Sequence, residues 1–599
     1  MRSPARVLNS LTKHSQTTEY RFERLYRILF NEEMYYLAYQ RIYAKPGNMT
    51  QGADGKTIDR MSLSRIEKLI ASLKDESYSP QPSRRMYIPK KNGKTRPLGV
   101  PSFDDKLVQE VVRMVLEAIY EGHFEDTSHG FRPHRSCHTA LNAVQKTFTG
   151  KKWFIEGDIK GFFDNVNHDI LIDILKERIS DERFIRLIRK FLKAGYLEQW
   201  QFHGTYSGMP QGGIISPILA NIYLDKLDKY MKEYAAGFDR GNRVRAYREY
   251  EVLTYQKRLV MRELKTATNN VERKVLVKRL KEIDKTRSAM PCFDPMDGNF
   301  KRLKYVRYAD DFLIGIIVSK VKIKDDIKRF LADRLALELS DEKTLVTHTE
   351  KPAKFLGYEV TVRKSNLQKR NKRGSLSRVY GNKVRLKVTT EVIKKKLLEL
   401  GVLKFSYHNG HEQWIPKHRS ELINNDDLEI LDSYNAEIRG FYNYYSIANN
   451  ASELNTFHYI MQYSMYKTFA GKYRTTVRRI CQKYKRNGVF TVGYTVKNGQ
   501  VKERRLYNEG FKRKRPSYDR SIDRCPNPMP GVSTTSLIDR LKAQKCELCG
   551  ATDNLVMHHV RKLGELKGKE NWEKLMIARR RKTMAVCGSC HQKIHHGTF

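Results

Sequence analysis

"YVRYADDFLIGIIV", Tyr305 to Val318, sets two adjacent aspartates between two apolar runs. Like charges side by side among strand-forming residues are costly unless a cation sits between them. On a regular strand neighbouring side chains face opposite ways, so Asp310 and Asp311 would diverge. A tight turn lets both contribute near one site. A third carboxylate, Asp158, closes another apolar run, "WFIEGD". Hard oxygen donors of this kind suit Mg²⁺. Two such ions a few Å apart activate an attacking hydroxyl and stabilise a leaving phosphate. The plain alternative is a negatively charged hairpin tip with no ion.

Composition narrows what such a site would act on. The chain has 599 residues, with 113 Lys and Arg against 67 Asp and Glu, for a formal net charge of +46. That length suggests roughly four domains. The charge is spread along the chain with local runs, as expected of a long contact with a polyanion. Nucleic acid is the leading partner and an anionic membrane surface the rival. The N-terminus lacks the apolar core of a signal peptide, and no run reaches the roughly 20 apolar residues of a membrane span. The expectation is a soluble, cytoplasmic, nucleoid-associated protein with no membrane partner. Of eight cysteines, Cys137, Cys292, Cys481 and Cys525 are scattered. The other four form two C-x-x-C pairs near the C-terminus, a pattern of metal binding more than of disulfides.

Along the chain, "RRMYIPKKNGKTRPLGVP" reads as strand, glycine turn and strand with basic residues at the turn. "DDKLVQEVVRMVLEAIYEGHF" has the apolar spacing of an amphipathic helix. "GMPQGGIISPILANIYL" reads as a Gly-rich turn entering a helix. Residues 236–299 are highly charged, helical in pattern and poor in core, an insertion. The basic segment 363–388 reads either as a solvated linker or as a clamp on a nucleic-acid backbone. Residues 389–484 are helical and aromatic-rich. Residues 485–537 read as basic and irregular.

With "DIKGFFDN" and "SGMPQGGIISPILANIYL" upstream of "YADD", the sequence resembles a reverse transcriptase palm. The order and content are similar to the group II intron-encoded proteins, the reverse transcriptase/maturase family, close to bacterial members carrying a C-terminal endonuclease. The resemblance implies a multidomain α+β protein: right-hand fingers and palm with an antiparallel sheet, a helical thumb, and a small ββα-metal, zinc-containing HNH domain. The units expected are an N-terminal extension of the fingers (1–60), fingers and palm (61–362), a basic linker (363–388), a thumb/maturase domain (389–484), a DNA-binding segment (485–537) and the nuclease (538–599). By matching positions, Asp158 and Asp310 would hold Mg²⁺, Asp311 would complete the acidic set and the Ile159 carbonyl would add a ligand. Phe163 falls at the aromatic gate against a ribose 2′-OH. Gln211 and Gly212 would pack under the template–dNTP pair, where a glycine backbone can approach closely. Lys90 and Arg96 would grip the incoming triphosphate, Arg as a fork and Lys as a point charge. Lys343, in "DEKT", would assist phosphoryl transfer.

"AEIRGFYNYYSIANN" and "YSMYKTFAGKYR" resemble the family's two maturase stretches. Arg439, Gly440, Tyr444, Tyr445, Lys467 and Lys472 are the expected RNA contacts: aromatics stack on unpaired bases and cations pair with phosphates. Tyr at helical spacing is also what a core helix contains.

In "CELC…MHHV…CGSCHQKIHH", Cys546, Cys549, Cys587 and Cys590 suit a tetrahedral structural Zn²⁺. Alone they would make a zinc ribbon. His591 and His595 lie four apart, on one face of a helix. With His558 they could hold a second, catalytic divalent ion, leaving His559 as a general base toward water. The unit resembles an HNH endonuclease. The position of that family's central Asn falls near Lys582 or Asn571 and stays unassigned.

These readings combine into one protein. As a maturase it would bind its intron RNA, hold the active fold of the ribozyme and remain in the ribonucleoprotein. The nuclease would nick target DNA, and the palm would copy the RNA from the new 3′ end with dNTPs, completing intron homing. A host-adopted reverse transcriptase and a splicing-only RNA-binding factor are the rivals. A dimer is one oligomeric state open to it.

Overall fold

The structure is a computed structural model describing residues 3–44, 47–89, 95–199, 201–294, 297–317, 321–363, 368–370, 376–378, 382–495, 500–519, 537–579 and 581–597. The runs that flank the acidic residues pair with one another. Strand β1 (Trp153–Asp158), β2 (Arg302–Tyr308), β3 (Asp311–Ile317) and β4 (Leu345–His348) form an antiparallel sheet in the order β2-β3-β1-β4. Both faces are covered, so the inner strands are apolar almost throughout. One face packs with the long helix Phe103–Tyr120 and with Ser216–Phe238 in a core shared with the N-terminal helices. The helix Phe103–Tyr120 is buried on nearly all sides, more than the amphipathic helix expected of it.

The fingers hairpin pairs Ser83–Pro89 with Thr95–Val100, as the Gly-turn pattern predicts. The insertion folds as two helices, Arg248–Thr266 and Asn270–Ala289, around a small contact of Val260, Ala267, Leu276 and Ile283.

The thumb is built on α1 (Asp427–Tyr445) and α2 (Leu454–Lys472). In α1, Ile430, Leu431, Tyr434, Ile438, Phe441 and Tyr445 recur at helical spacing and turn inward. Their core includes Phe148, Phe154, Val306 and Leu313 from the palm. Within the basic segment 363–388, Lys383–Lys387 is a strand paired with Tyr358–Arg363, and it buries Val384 and Leu386. Residues 485–537, read as irregular, contain a hairpin of Val489–Thr495 and Val501–Arg505. Phe490, Val492, Leu506, Tyr507 and Phe511 join the thumb core. That basic composition hid an apolar anchor every few residues.

The C-terminal unit pairs β5 (Leu555–His559) with β6 (Thr583–Cys587), followed by α3 (Gly588–His596), a ββα arrangement. Leu537, Ile538, Leu541, Met557 and Ala585 reach into the N-terminal core. Among the described residues, no helix is long and apolar enough to cross a membrane.

Candidate active sites

The pairing of β1 with β3 places Asp158 directly opposite Asp311. Tyr308 pairs with Asp311, leaving Ala309 and Asp310 as a two-residue turn. Ala309 has φ 57°, the positive value that a II′ hairpin needs at its first turn residue. The turn brings Asp310 to the same end of the sheet. Loss of water pushes the Asp310 carboxyl up and Asp158 adds to it, while Arg96 and Lys343 pull it back. Asp311 keeps open surface, yet protein crowds its carboxyl; loss of water, then Asp310 and Asp158, push it up to about 7. Three carboxylates that hold off one another's charge fit a divalent cation, which relieves the repulsion.

The neighbours expected here are nearby. Lys343 Nζ donates to Asp158 Oδ2 at 2.7 Å. Ile159 is bracketed by Ser340 N–H to Asp158 O and Lys160 N–H to Glu338 O, both 2.9 Å. That pattern turns the Ile159 carbonyl away from residues 338–340, toward the β3 side. Phe163 is half-buried against the core, and its carbonyl accepts from Met209 N–H. The Gln211 carbonyl accepts from Gly99 N–H at 2.7 Å, tying the glycine turn to the fingers strand. Gly212 has φ 113°, and a Cβ there would lie 2.6 Å from the Gly99 carbonyl oxygen. Arg96 is exposed on its strand; Lys90 lies outside the described residues.

What holds the Asp turn in place escaped the sequence reading. Arg307 is fully buried with Asp228, both side chains at 0 % exposure. Its guanidinium donates to both Asp228 oxygens, to Ser128 Oγ at 2.8 Å and to the Ala309 carbonyl at 2.8 Å. Tyr305 Oη donates to the same Asp228. Gly130 abuts the turn: a Cβ on it would lie 2.3 Å from Ala309 N. Gly130→Ala is therefore expected to shift the turn and lower nucleotide incorporation by about 10²-fold. Single-turnover extension of a primed RNA template measures this, with dNTP affinity changing less than the rate.

The thumb residues divide unevenly. Tyr445 is buried, and Tyr444 is half-buried with its hydroxyl donating to the Leu356 carbonyl. Gly440 is buried in α1. Lys467 Nζ donates to the Pro416 carbonyl, and Lys472 Nζ to Asn425 O and Asp427 Oδ1. Gly440 and Tyr445 are thus buried, while Tyr444, Lys467 and Lys472 are half-buried and hydrogen-bonded within the thumb and palm. Arg439 alone of the six is exposed, lying over the Tyr507 ring. Tyr459 and Tyr463, one turn apart on α2, present exposed rings that the sequence reading did not single out.

In the C-terminal unit the Sγ atoms of Cys546, Cys549, Cys587 and Cys590 lie within 4.8 Å of one another. Tetrahedral Zn–S bonds of about 2.3 Å need S···S distances of about 3.8 Å, so the four thiols fit zinc. Cys546, Cys587 and Cys590 also belong to that unit's small core, while Cys549 is exposed. Chelation is expected to unfold residues 538–597 while polymerisation survives, read as new proteolytic cuts confined to the C-terminus.

His558, His591 and His595 converge as expected, and a fourth donor joins them: Asp59, from the N-terminal segment. Asp59 Oδ2 lies 3.0 Å from His591 Nε2 and 2.9 Å from His595 Nε2. Burial works against charge on Asp59, but the His591 hydrogen bond and the nearby imidazoles hold its carboxyl well below the usual range. Burial pushes both His558 and His559 down to about 4, keeping them neutral. Neutral imidazole is the metal-binding form. Both ring nitrogens of His558 are buried without a hydrogen-bond partner, as befits a ligand.

A palm with three carboxylates at one end of its sheet, a helical thumb and a ββα Cys/His unit define a polymerase of nucleic acid joined to a metal-dependent nuclease. The sequence matches the reverse transcriptase (RNA-dependent DNA polymerase) family over residues 88–255, the type II intron maturase family over 382–515 and the AI2M/AI1M-like HNH endonuclease family over 546–591. It is 44% identical to the group II intron-encoded protein LtrA of Lactococcus lactis subsp. cremoris, covering 100% of both chains. It is 34% identical to an uncharacterized 91 kDa protein in a cob intron of Schizosaccharomyces pombe, over 95% of this chain and 69% of that protein. A solved apo telomerase from Candida tropicalis overlays with a TM-score of only 0.30 at 14% identity, over 56% of this chain and 63% of that one. The chain belongs to the group II intron-encoded proteins and is an RNA-directed DNA polymerase and HNH endonuclease with a maturase domain.

Proposed function

We propose that the chain works as a ribonucleoprotein with one structured intron RNA, promoting its splicing and then copying it into DNA at a nicked target. The observation that carries this reading is end-to-end similarity to an intron-encoded protein, together with in-register palm carboxylates and an intact Cys/His unit. At the palm, Asp158, Asp310 and Asp311, with the Ile159 carbonyl, would hold Mg²⁺. When bound, the ions supply charge stabilisation to attacking and leaving oxygens. Arg96 and Lys90 would bind the triphosphate, Phe163 would exclude a 2′-hydroxyl, and Gln211 and Gly212 would support the nascent pair. Lys343, already bonded to Asp158, would place a proton donor beside the departing phosphate.

RNA contact falls to the exposed residues of the thumb. Arg439 offers a phosphate contact, and Tyr459 and Tyr463 offer stacking faces. In the nuclease, His558, His591 and His595 would hold a divalent ion, and His559 would take a proton from the attacking water. Target DNA and dNTPs are the remaining partners.

The test is to purify the protein without nuclease treatment and sequence the RNA that accompanies it. One enriched structured intron is the expected result. A broad mixture without an enriched intron would instead indicate a general reverse transcriptase whose charge binds RNA non-specifically.

A further inference from the structure

The nuclease site is closed by a residue from the opposite end of the chain. Asp59 closes the set of three imidazoles, all four donor atoms within 4.8 Å of one another, with Oδ2 shared by His591 and His595. Its Oδ1 accepts from His559 N–H at 2.8 Å and lies 3.6 Å from His558 Nδ1. The loop presenting it is braced. Arg65 donates to the Asp59 and Thr57 carbonyls at 3.2 Å and to Asp104 at 2.7 Å. Two residues on, the Met61 carbonyl accepts from Met557 N–H on β5 at 2.8 Å.

The candidate base is occupied as well. His559 is buried. Its Nδ1 lies 3.1 Å from the Met557 carbonyl and so carries the proton, which leaves Nε2 as the acceptor. That lone pair receives the Tyr39 hydroxyl at 3.1 Å. A base whose lone pair is filled cannot take a proton from water. Three imidazoles and one carboxylate are also a full tetrahedral set, the closed coordination of a structural site; a hydrolytic site keeps one position open.

The geometry points to a shut nuclease: Asp59 is the fourth ligand of the nuclease ion, on the face a scissile phosphate must reach, and Tyr39 caps the base. The inference rests on the nuclease reading of this site. Cleavage then requires the Asp59 loop and Tyr39 to leave β5, so the second activity of the chain is silent until its C-terminal unit moves off the N-terminal core. The buried side chains that dock the unit, Leu537, Ile538, Leu541 and Met557, are the surface that must part.

Full-length wild type, Asp59→Ala, Asp59→Asn, Tyr39→Phe and His559→Ala decide this with two readouts. The first is Mn²⁺ binding, followed through the paramagnetic resonance of the free ion. The second is nicking of a DNA duplex at saturating Mn²⁺ without RNA; zinc content and melting temperature report folding. Asp59→Ala should weaken Mn²⁺ binding by about tenfold or more and yet raise nicking by about tenfold or more. Asp59→Asn, which keeps an oxygen to accept from His559 N–H, and Tyr39→Phe should each raise nicking by less. Opposite movement of the two readouts is the signature of a ligand that also blocks. Nicking that falls or stays level in Asp59→Ala, while wild type cuts and His559→Ala does not, overturns the closure and leaves the nuclease reading standing. If no form nicks at any Mn²⁺ concentration, the nuclease reading fails and the closure with it, whatever Asp59→Ala does to Mn²⁺ binding.

Discussion

Replacing Asp310 by Asn is expected to lower cDNA synthesis by roughly 10²–10³-fold or more while intron splicing survives. The substitution keeps size and hydrogen bonding and removes one negative charge from a site whose carboxylates already repel one another. Fold and thumb should therefore be unaffected, and the melting temperature should hold or rise slightly. The carboxylate is needed only when a cation and a polyphosphate arrive together. On the proposed reading, splicing depends on the RNA and on exposed thumb residues such as Arg439, not on a carboxylate at this turn. Primer extension on an RNA template and splicing of the co-purified intron, measured on one preparation, separate the two activities. Loss of both together would mean that the palm also shapes the RNA-binding surface. Retention of both would remove Asp310 from the metal site.

The second large effect is on stability. Arg307→Met removes one partner of a fully buried pair and strands Asp228 among apolar residues. Losing one member of such a pair costs about 3–5 kcal/mol, a fall of roughly 10 °C in melting temperature for a domain of this size. Ser128 Oγ, the Ala309 carbonyl and Tyr305 Oη lose partners or are disturbed as well. The double variant Arg307→Met, Asp228→Leu replaces both charges and should recover much of the loss, because an apolar pair avoids desolvation. Polymerisation should stay low in the double variant, since nothing then holds the Ala309 carbonyl. Thermal unfolding monitored by near-UV dichroism supplies the first number and primer extension the second. A double variant no more stable than the single would assign the effect to packing around residue 307 rather than to the ion pair.

The acidic turn was legible in the sequence because its signal is local. Two aspartates between apolar runs already demand a hairpin, and "WFIEGD" offers its partner. The Cys and His set was legible for the same reason, through spacings of three and four. What stayed hidden depends on distance or direction. Asp59 and His591 are 532 residues apart along the chain, and no local pattern links them. Arg307 alternates along its strand like its neighbours, so its burial against Asp228 follows only from the helix that covers that face. In the thumb, helical spacing finds an apolar stripe but cannot tell which tyrosine looks outward. Tyr444 and Tyr445 read alike there, yet Tyr445 is buried and Tyr444 only half-buried. The hairpin after residue 485 was masked because its anchors are interleaved with Lys and Arg.

The interior beneath the thumb has a wider consequence. Phe148, Phe154, Val306 and Leu313 of the palm lie in one continuous apolar body with Val360, Leu386, Ile438 and Phe441. Palm and thumb thus share one apolar core. A recombination crossover between residues 356 and 382 would split that body, leaving each half with an exposed apolar wall and a strand without its neighbour. Exchange of the thumb for a relative's, to follow a changed intron, has to carry matching palm residues with it.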